Sequence, residues 1–187
     1  MERILAETNK LLLKKPYVLI AIDGRCASGK STLANRLLWH YGEDAALFHM
    51  DDFFLPPEMR TAERLSQPGG NIHHERFLSE VLEPLKKGSP FRYDRYNCQT
   101  GGYEAVPAER KRVTLVEGVY ALHPSLYPHY DLKVFVTLEK DMQLKRLLSR
   151  GGTERTRRFV EEWIPMEEKY FRFFGIKEQC DLVIEAQ

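Results

Sequence analysis

The chain alternates between short, almost wholly apolar runs and longer segments in which apolar residues recur every three or four positions. Short apolar runs rich in β-branched residues predict strands buried on both faces, and the longer periodic segments predict helices. The predicted strands are residues 17–22, 45–49, 113–116, 132–137 and 181–185. The predicted helices are residues 2–14, 31–41, 75–87, 139–149 and 155–174. We therefore expect a three-layer α/β fold, in which helices cover both faces of a five-stranded parallel sheet.

Two stretches interrupt this alternation. Residues 50–74 contain several prolines and glycines, which is typical of a loop. Residues of about 91–106 form two aromatic-rich pieces around Gln99–Gly102, and this pattern indicates a β-hairpin arm. Neither stretch resembles an interdomain linker, so we expect a single domain spanning residues 1–187.

Composition narrows the classes of partner. The formal net charge of +1 gives no electrostatic reason to expect nucleic acid or a membrane surface. Cys26, Cys98 and Cys180 are widely spaced, which argues against a zinc site or a disulfide framework and fits a reducing cytosol. No signal-peptide pattern or membrane-length apolar run is present in the sequence. We expect a cytoplasmic protein with a small-molecule partner, and a homodimer contact through the helix at 2–14 is left open.

The strongest chemical signal follows the first predicted strand. The segment from Gly24 to Ser31 has the sequence GRCASGKS and matches the phosphate-binding pattern G-x-x-x-x-G-K-[ST] in full. Its glycines allow a tight turn, and its backbone N–H groups and the following helix attract phosphate. Lys30 is expected to reach the β- and γ-phosphates of ATP, and Ser31 to ligate Mg²⁺. The expected nucleotide-binding residues are Gly24, Ala27, Ser28, Gly29, Lys30, Ser31 and Thr32.

Acidic residues follow two other predicted strands. Glu117 ends the strand at 113–116, where a carboxylate can hold a Mg²⁺ water or a substrate hydroxyl, or else cap a helix or pair with an arginine. Asp51 follows the strand at 45–49 and is our candidate for the base that takes the acceptor proton, with helix capping as the alternative. Asp51 is also a candidate metal ligand. Asp52 is equally well explained by a structural role.

These motifs together resemble the uridine kinase-like branch of P-loop kinases, which includes uridine–cytidine kinases, nicotinamide riboside kinases, phosphoribulokinase and bacterial pantothenate kinase. The resemblance rests on the P-loop, on the segment from His49 to Phe54, on the element ending in Glu117-Gly118, and on the arginines near residue 150. It implies a sheet in the order 2-3-1-4-5, Asp51 as catalytic base and Glu117 as the acid of the Walker B strand. It also implies a mobile lid at about 150–160.

The candidate lid arginines are Arg150, Arg155 and Arg157, whose spacing matches that of the family's lid arginines. Guanidinium groups stabilise the charge on a phosphate during its transfer, and Gly151-Gly152 supplies a hinge. The alternative is that any one of these arginines belongs to a basic, solvated helix start.

Two positions depart from the uridine kinase pattern. His73 stands where uridine kinases carry an aspartate that contacts the ribose, and the stretch from Tyr93 to Gln99 lacks their uracil-reading histidine. The candidate acceptor-binding residues are Asp52, Phe54, His73, Tyr93 and Arg95, although the tyrosine is equally consistent with hairpin packing.

The leading hypothesis is an ATP- and Mg²⁺-dependent kinase for the hydroxyl of a nucleoside such as uridine or a related riboside. A pantothenate- or sugar-type small-molecule kinase is the alternative within the same class. A GTPase-like switch is a weaker alternative, because the expected D-x-x-G and N-K-x-D motifs are absent from the sequence. A catalytically silent nucleotide sensor is also weaker, because Lys30, Ser31, Asp51 and Glu117 are all intact.

Overall fold

The structure, a computed structural model, describes residues 1–186. Its strands in chain order are β1 Val18–Gly24, β2 Ala45–His49, β3 Phe91–Tyr96, β4 Tyr103–Ala108, β5 Val113–Glu117, β6 Leu132–Thr137 and β7 Leu182–Glu185. Five of them form a wholly parallel sheet in the order β2-β5-β1-β6-β7. Numbered among themselves along the chain, these five strands lie in the order 2-3-1-4-5. The expected α/β fold with a five-stranded parallel sheet is confirmed.

Within residues 1–186, the structure has seven α-helices. They are α1 Glu2–Leu12, α2 Lys30–Tyr41, α3 Ala62–Ser66, α4 His74–Phe77, α5 Glu83–Lys87, α6 Lys140–Arg158 and α7 Ile164–Phe174. One π-helical turn, Leu78–Leu82, joins α4 to α5, and a second, Phe159–Trp163, joins α6 to α7. Within residues 1–186, no helix is both long enough and apolar enough to cross a membrane.

The sheet separates two hydrophobic clusters because alternate residues of each strand point to opposite faces. On one face, Ile20 and Leu115 pack with Ile4 of α1 and Leu37 of α2. On the other face, the cluster is larger and includes residues of α4, of the turn that follows it, of α5 and of α7, among them Phe77, Val81, Leu85, Tyr170 and Phe171. Helices therefore cover both faces, which makes the three expected layers.

The two π-helical turns and the continuation of α6 past residue 149 are the main differences from the predicted helices. The predicted helix at 75–87 contains a π-helical turn that ends just before Glu83-Pro84, where the proline has no N–H to donate to the preceding turn. The predicted gap between residues 149 and 155 is mostly helical, since α6 continues to Arg158. Gly152 alone has a non-helical backbone there, with φ 68° and ψ −173°. The chain thus changes direction within the predicted Gly151-Gly152 hinge.

The loop from 50 to 74 is more ordered than its proline and glycine content indicates. It contains α3, and Phe54 forms an isolated antiparallel bridge with Ile72. Beyond α5, β3 and β4 pair in antiparallel register from Phe91 opposite Ala108 to Tyr96 opposite Tyr103. This hairpin and the loop lie on the α4–α5 side of the sheet.

Candidate active site

The loop between β1 and α2 has the backbone shape of a phosphate cradle. Gly24 has φ 133°, and a Cβ atom at this position would lie 2.0 Å from the carbonyl oxygen of Val136, so no other residue fits. Ala27 (φ 59°) and Gly29 (φ 95°) both adopt left-handed conformations, which curl successive N–H groups into an anion nest. Ser28 is 1% exposed, and its hydroxyl lacks a protein partner within the described chain.

Lys30 is the first residue of α2 and follows this loop directly. Its Nζ donates hydrogen bonds to the carbonyl oxygens of Gly24 and Arg25, both at 2.8 Å. The side chain is 7% exposed. The ammonium forms no ion pair at direct contact within residues 1–186, although the charges of Asp23, Asp51 and Glu167 act on it at longer range. Such a buried cation suits the phosphates of a nucleotide.

Glu117 is the centre of a polar cluster at the carboxyl end of the sheet. Ser31 donates its hydroxyl to Glu117 Oε2 at 3.1 Å, and Nδ1 of His49 lies 2.6 Å from Glu117 Oε1. The hydrogen bond to Glu117 is the main cause of a raised pKa of His49. His49 was missed at the sequence level. It could have been found, because it ends β2 and lies opposite Glu117 in the strand register.

The hydroxyl of Ser31 and the carboxylate of Glu117 fit a magnesium ion. Mg²⁺ prefers oxygen ligands and usually keeps several waters and phosphate oxygens, with only one or two protein carboxylates. Among residues 1–186, no group of three or more His, Cys, Asp or Glu side chains could hold a metal ion by itself. Ser31 and Glu117 could therefore contribute to a Mg²⁺ site only together with phosphate oxygens and water.

Asp51 lies in the single 3₁₀ turn Met50–Phe53 that follows β2, and it is accessible to solvent. Partial desolvation and the nearby negative charge of Glu117 raise its pKa, while the charges of Lys30 and His49 act in the opposite direction. The Asp51 carboxylate is therefore within electrostatic reach of Lys30, His49 and Glu117. A raised pKa brings a carboxylate closer to the basicity that proton abstraction requires.

Asp52 faces the hairpin side of the same turn. Desolvation raises the pKa of its carboxyl group, while the charges of His49, Arg95 and Arg76 lower it. The main-chain carbonyl of Asp52 accepts a hydrogen bond from Arg76 Nη2 at 3.1 Å. The residue therefore connects the 3₁₀ turn with α4 and the hairpin.

The other four candidate acceptor residues differ in how much of their side chain is free. His73 caps α4, because its Nδ1 accepts from the backbone N–H of Arg76 at 3.2 Å. Tyr93 is 7% exposed, and its ring packs against the rings of Phe48 and Phe53. Arg95 is exposed and forms an ion pair with Glu104, and the ring centroid of Phe54 lies 6.1 Å from that of Trp163.

The three candidate lid arginines are exposed and lie on both sides of the break at Gly152. Arg157 forms an ion pair with Glu154 at 2.7 Å. No ion pair of Arg150 or Arg155 is found within residues 1–186. One turn before Arg150, Arg146 donates to the carbonyl oxygen of Ala27 at 3.2 Å and so touches the P-loop directly. Its spacing of four residues from Arg150 was the signal that could have found it.

Asp23, the fully buried acid that precedes Gly24, helps to hold the P-loop in place. Asp23 ends the apolar part of β1 and accepts hydrogen bonds from the backbone N–H groups of Gly24, Leu122 and Tyr120 and from the hydroxyl of Tyr170. Burial raises the pKa of Asp23 to about 6 in spite of these donors. Asp23 thereby joins the P-loop, the segment after Glu117 and helix α7.

Helix α7 also contacts the P-loop through two acids. Glu167 Oε2 accepts from the backbone N–H of Cys26 at 3.0 Å, and Glu168 forms an ion pair with Arg25. From α6, Gln143 Nε2 donates to the carbonyl oxygen of Cys26 at 3.0 Å. The part of α6 that precedes the candidate lid and helix α7 that follows it therefore both contact the phosphate-binding loop.

Glu167→Gln is expected to flatten the pH dependence of stability in the nucleotide-free protein. Glu167 is 5% exposed, and burial raises its pKa from 4.5 to about 7. A raised pKa means that the contribution of Glu167 to stability is fully present below about pH 4.5 and is lost as the pH rises through 7. The variant should lose roughly 1–3 kcal/mol less of its unfolding free energy than the wild type between pH 5 and 8. Urea unfolding across this range measures the difference.

Glu168→Gln is the matched control for this measurement. It removes one end of the Arg25 ion pair but leaves Glu167 in place, so the wild-type dependence on pH should persist. Equal slopes for the wild type and Glu167→Gln would show that Glu167 does not titrate in this range.

The sequence of this chain is similar to those of one family of known proteins. The model of the phosphoribulokinase/uridine kinase family matches residues 19–185. A uridine kinase of Geobacillus kaustophilus is 29% identical over 91% of this chain and 86% of its own length. A uridine kinase of Staphylococcus haemolyticus is 30% identical over 74% of this chain and 70% of its own.

A solved structure shares the same architecture. A Bacillus stearothermophilus protein described as a possible uridine kinase superposes with a TM-score of 0.72, over 98% of this chain and 97% of its own, at 20% identity. At that level of identity the likeness establishes the fold.

Proposed function

The chain belongs to the phosphoribulokinase/uridine kinase family, and on that basis we propose that it is a kinase that transfers the γ-phosphate of ATP to a hydroxyl group of a small molecule. The observation that supports this proposal is that the exposed Asp51 lies within electrostatic reach of Lys30 and Glu117, while Glu117 is hydrogen-bonded to Ser31. A site that binds only a nucleotide and its metal needs Lys30, Ser31 and Glu117 but has no need of Asp51. A carboxylate of raised pKa, open to solvent in the same place, is what an acceptor hydroxyl requires.

Each of these residues has a distinct part in the transfer. Lys30 exchanges its two carbonyl partners for the β- and γ-phosphates, which it holds and neutralises. Ser31 and Glu117 would hold Mg²⁺, which when bound supplies positive charge against the phosphate oxygens. His49 orients the Glu117 carboxylate by its hydrogen bond. Asp51 aligns the acceptor hydroxyl and takes its proton late in the transfer.

The lid supplies the remaining charge and excludes water. Gly152 allows residues of α6 beyond it to move over the nucleotide. Trp163, which follows the lid, packs on Phe54, three residues after Asp51. Closure over the site would thereby cover the acceptor side as well, and it would suppress hydrolysis of ATP by water.

Arg155→Ala is expected to lower kcat by roughly 10²-fold, the usual cost of removing one donor that stabilises transition-state charge. Arg155 has no ion pair within residues 1–186, so its guanidinium is available for the phosphate. Arg157→Ala should cost less than about tenfold, because Arg157 is already paired with Glu154. Steady-state ADP release measures both. A larger loss for Arg157→Ala than for Arg155→Ala would reverse the assignment.

For the acceptor, we propose a ribose hydroxyl of a nucleoside such as uridine or a related riboside. The uridine kinases among the relatives support this class. Uridine itself is disfavoured by His73, which caps α4 and stands in the place of the ribose-binding aspartate. A pantothenate- or sugar-type acceptor is the alternative.

One assay tests both the activity and the acceptor. Mg²⁺-ATP is incubated with uridine, cytidine, nicotinamide riboside, pantothenate, glucose or fructose, and ADP release is followed against a blank without acceptor. A riboside should raise the rate well above that blank. Stimulation by pantothenate or a sugar alone would replace the riboside proposal. ATP binding without stimulation by any acceptor would contradict the kinase proposal for these classes, and competition by GTP against ATP tests the choice of nucleotide.

The remaining proposals concern context. We propose a cytoplasmic enzyme, in keeping with three unpaired cysteines and a net charge of +1. A homodimer through α1 is also proposed, although Ile4 and Thr8 of that helix are buried within this chain and leave only its outer face for a partner. Native mass spectrometry of the purified protein tests the dimer.

A further inference from the structure

A second cavity lies at the opposite edge of the sheet from the P-loop. It has a volume of about 230 Å³ and is bounded by the beginnings of β1 and β5, the end of α5 and residues 129–131. Leu19 of β1 lines it, whereas the P-loop begins at the other end of the same strand. Thr114 of β5 lines it, three residues before Glu117. The cavity is therefore separate from the candidate active site, although the same two strands reach both.

Two buried polar atoms in the wall of this cavity lack partners in the part of the chain that the structure describes. Thr114 is 1% exposed and its Oγ1 makes no hydrogen bond. His129 is half-buried, but its Nδ1 atom is buried and likewise makes no hydrogen bond. Burial and the charge of Lys86 lower the pKa of His129, which favours the neutral ring, in which one ring nitrogen can accept a hydrogen bond. Unsatisfied buried polar groups are uncommon and each needs an explanation. One hydroxyl group of a ligand could accept from Thr114 and donate to His129.

The mouth of the cavity is positively charged. Lys15, Lys86 and Arg110 line it together with a single carboxylate, that of Asp131, which is paired with Lys15. Arg110 is fixed in place, since it donates to the carbonyl oxygens of Leu85 (3.3 Å) and Lys86 (3.2 Å). Its guanidinium also lies 4.3 Å from the ring centroid of Tyr17. Two of the three cations thus have no carboxylate partner among residues 1–186, which favours an anion at the opening.

The rest of the wall includes the apolar side chains of Leu19, Leu82 and Leu85. We propose that this cavity binds a small organic monoanion that also carries a hydroxyl group, such as a hydroxylated aromatic or short-chain carboxylic acid. The volume suits such a molecule and is below the range of about 300–1,000 Å³ that larger ligands occupy. This site goes beyond the proposed kinase activity and does not depend on it.

The experiment is an NMR titration of the ¹⁵N-labelled full chain with 4-hydroxybenzoate, 3-hydroxybutanoate and orthophosphate. At least one hydroxy acid should give saturable shifts at amides around the cavity with a Kd of about 1 mM or below. The uncharged analogue 4-hydroxybenzyl alcohol should bind at least roughly threefold more weakly than 4-hydroxybenzoate, and the bare phosphate ion should not produce the same shifts. The shifts should persist with saturating ATP, since the two sites do not overlap.

Three variants test the assigned contacts. Thr114→Val removes only the hydroxyl and preserves the shape, and it should weaken binding by roughly twofold to tenfold. Lys86→Ala should weaken binding by up to about fivefold, whereas Lys87→Ala, at the next exposed position of α5 but outside the cavity, should not. No saturable binding of either acid up to about 10 mM would overturn the proposal. So would binding that ATP displaces, or binding unaffected by both Thr114→Val and Lys86→Ala.

Discussion

Asp51→Asn is expected to lower kcat by about 10²–10⁴-fold while the affinity for ATP stays within roughly twofold of the wild type. The amide keeps the size and hydrogen-bonding reach of the carboxylate but has no basicity, so the acceptor hydroxyl loses the group that takes its proton. ATP affinity should survive because its phosphates are held by the P-loop and Lys30. Single-turnover and steady-state ADP release give the rate, and calorimetric titration with ATP gives the affinity.

Asp52→Asn is the matched control, because Asp52 is the adjacent acid in the same 3₁₀ turn but faces α4 and the hairpin. It should change KM for the acceptor more than kcat. The pH profile gives a second reading of the same hypothesis. Desolvation and the charge of Glu117 raise the pKa of Asp51, so wild-type kcat/KM should fall as the pH falls through that raised pKa. A near-wild-type kcat for Asp51→Asn would remove Asp51 from the role of base.

The sheet could be predicted because its strands are marked by local composition. Each of its five strands is a short apolar run, and the three central strands β5, β1 and β6 are largely buried on both faces. Such runs are visible without knowledge of the partner strands. The positions of Lys30, Ser31 and Glu117 follow for the same reason, since a parallel sheet brings the carboxyl ends of its strands to one edge. The strand order came from the family resemblance, not from composition.

Other parts of the site depend on contacts between distant segments. The hydrogen bond from Tyr170 to Asp23 joins residues 147 positions apart, and that from Gln143 to the carbonyl oxygen of Cys26 joins residues 117 apart. Asp23 follows the predicted strand at 17–22 and was not singled out, because its partners come from α7 and from the segment after Glu117. Glu167 had no local signal, because its neighbour in space is a backbone N–H group of the P-loop.

The acceptor side was the hardest to predict, and the roles of its residues stay predictions. The loop from 50 to 74 and the hairpin do not belong to the five-stranded sheet. The pattern that predicts the sheet therefore does not predict where their side chains lie relative to it. His73 and Tyr93 have structural partners, a helix N-terminus and two aromatic rings. Their side chains are thus less free to contact an acceptor than that of Asp52, and Phe54 also has an aromatic partner, Trp163. The candidate nucleotide-binding residues can be predicted from a sequence motif, whereas the positions of the candidate acceptor-binding residues depend on tertiary packing.

Glu117→Gln is expected to lower kcat by roughly 10²-fold at about 1 mM Mg²⁺ and to raise the Mg²⁺ concentration for half-maximal activity by about tenfold or more. The amide keeps one oxygen ligand but loses the negative charge, and Mg²⁺ binds carboxylate oxygens far better than neutral ones. Glu117 is 6% exposed, so water compensates little for the lost charge. ADP release measured over a Mg²⁺ titration separates the two effects, since saturating Mg²⁺ should recover part of the rate.

Two further variants decide whether this loss comes from the metal. His49→Asn keeps a side-chain N–H near the position of Nδ1 and should shift the Mg²⁺ requirement less than His49→Ala, which leaves Glu117 Oε1 without its donor. If Glu117 instead served only to fix β5 against α2 and β2, Glu117→Gln would retain both hydrogen bonds by rotation and keep the wild-type Mg²⁺ dependence. If the Mg²⁺ concentration for half-maximal activity is unchanged in Glu117→Gln, the role of Glu117 is structural. If that concentration rises in Glu117→Gln, and rises more in His49→Ala than in His49→Asn, Glu117 holds the metal.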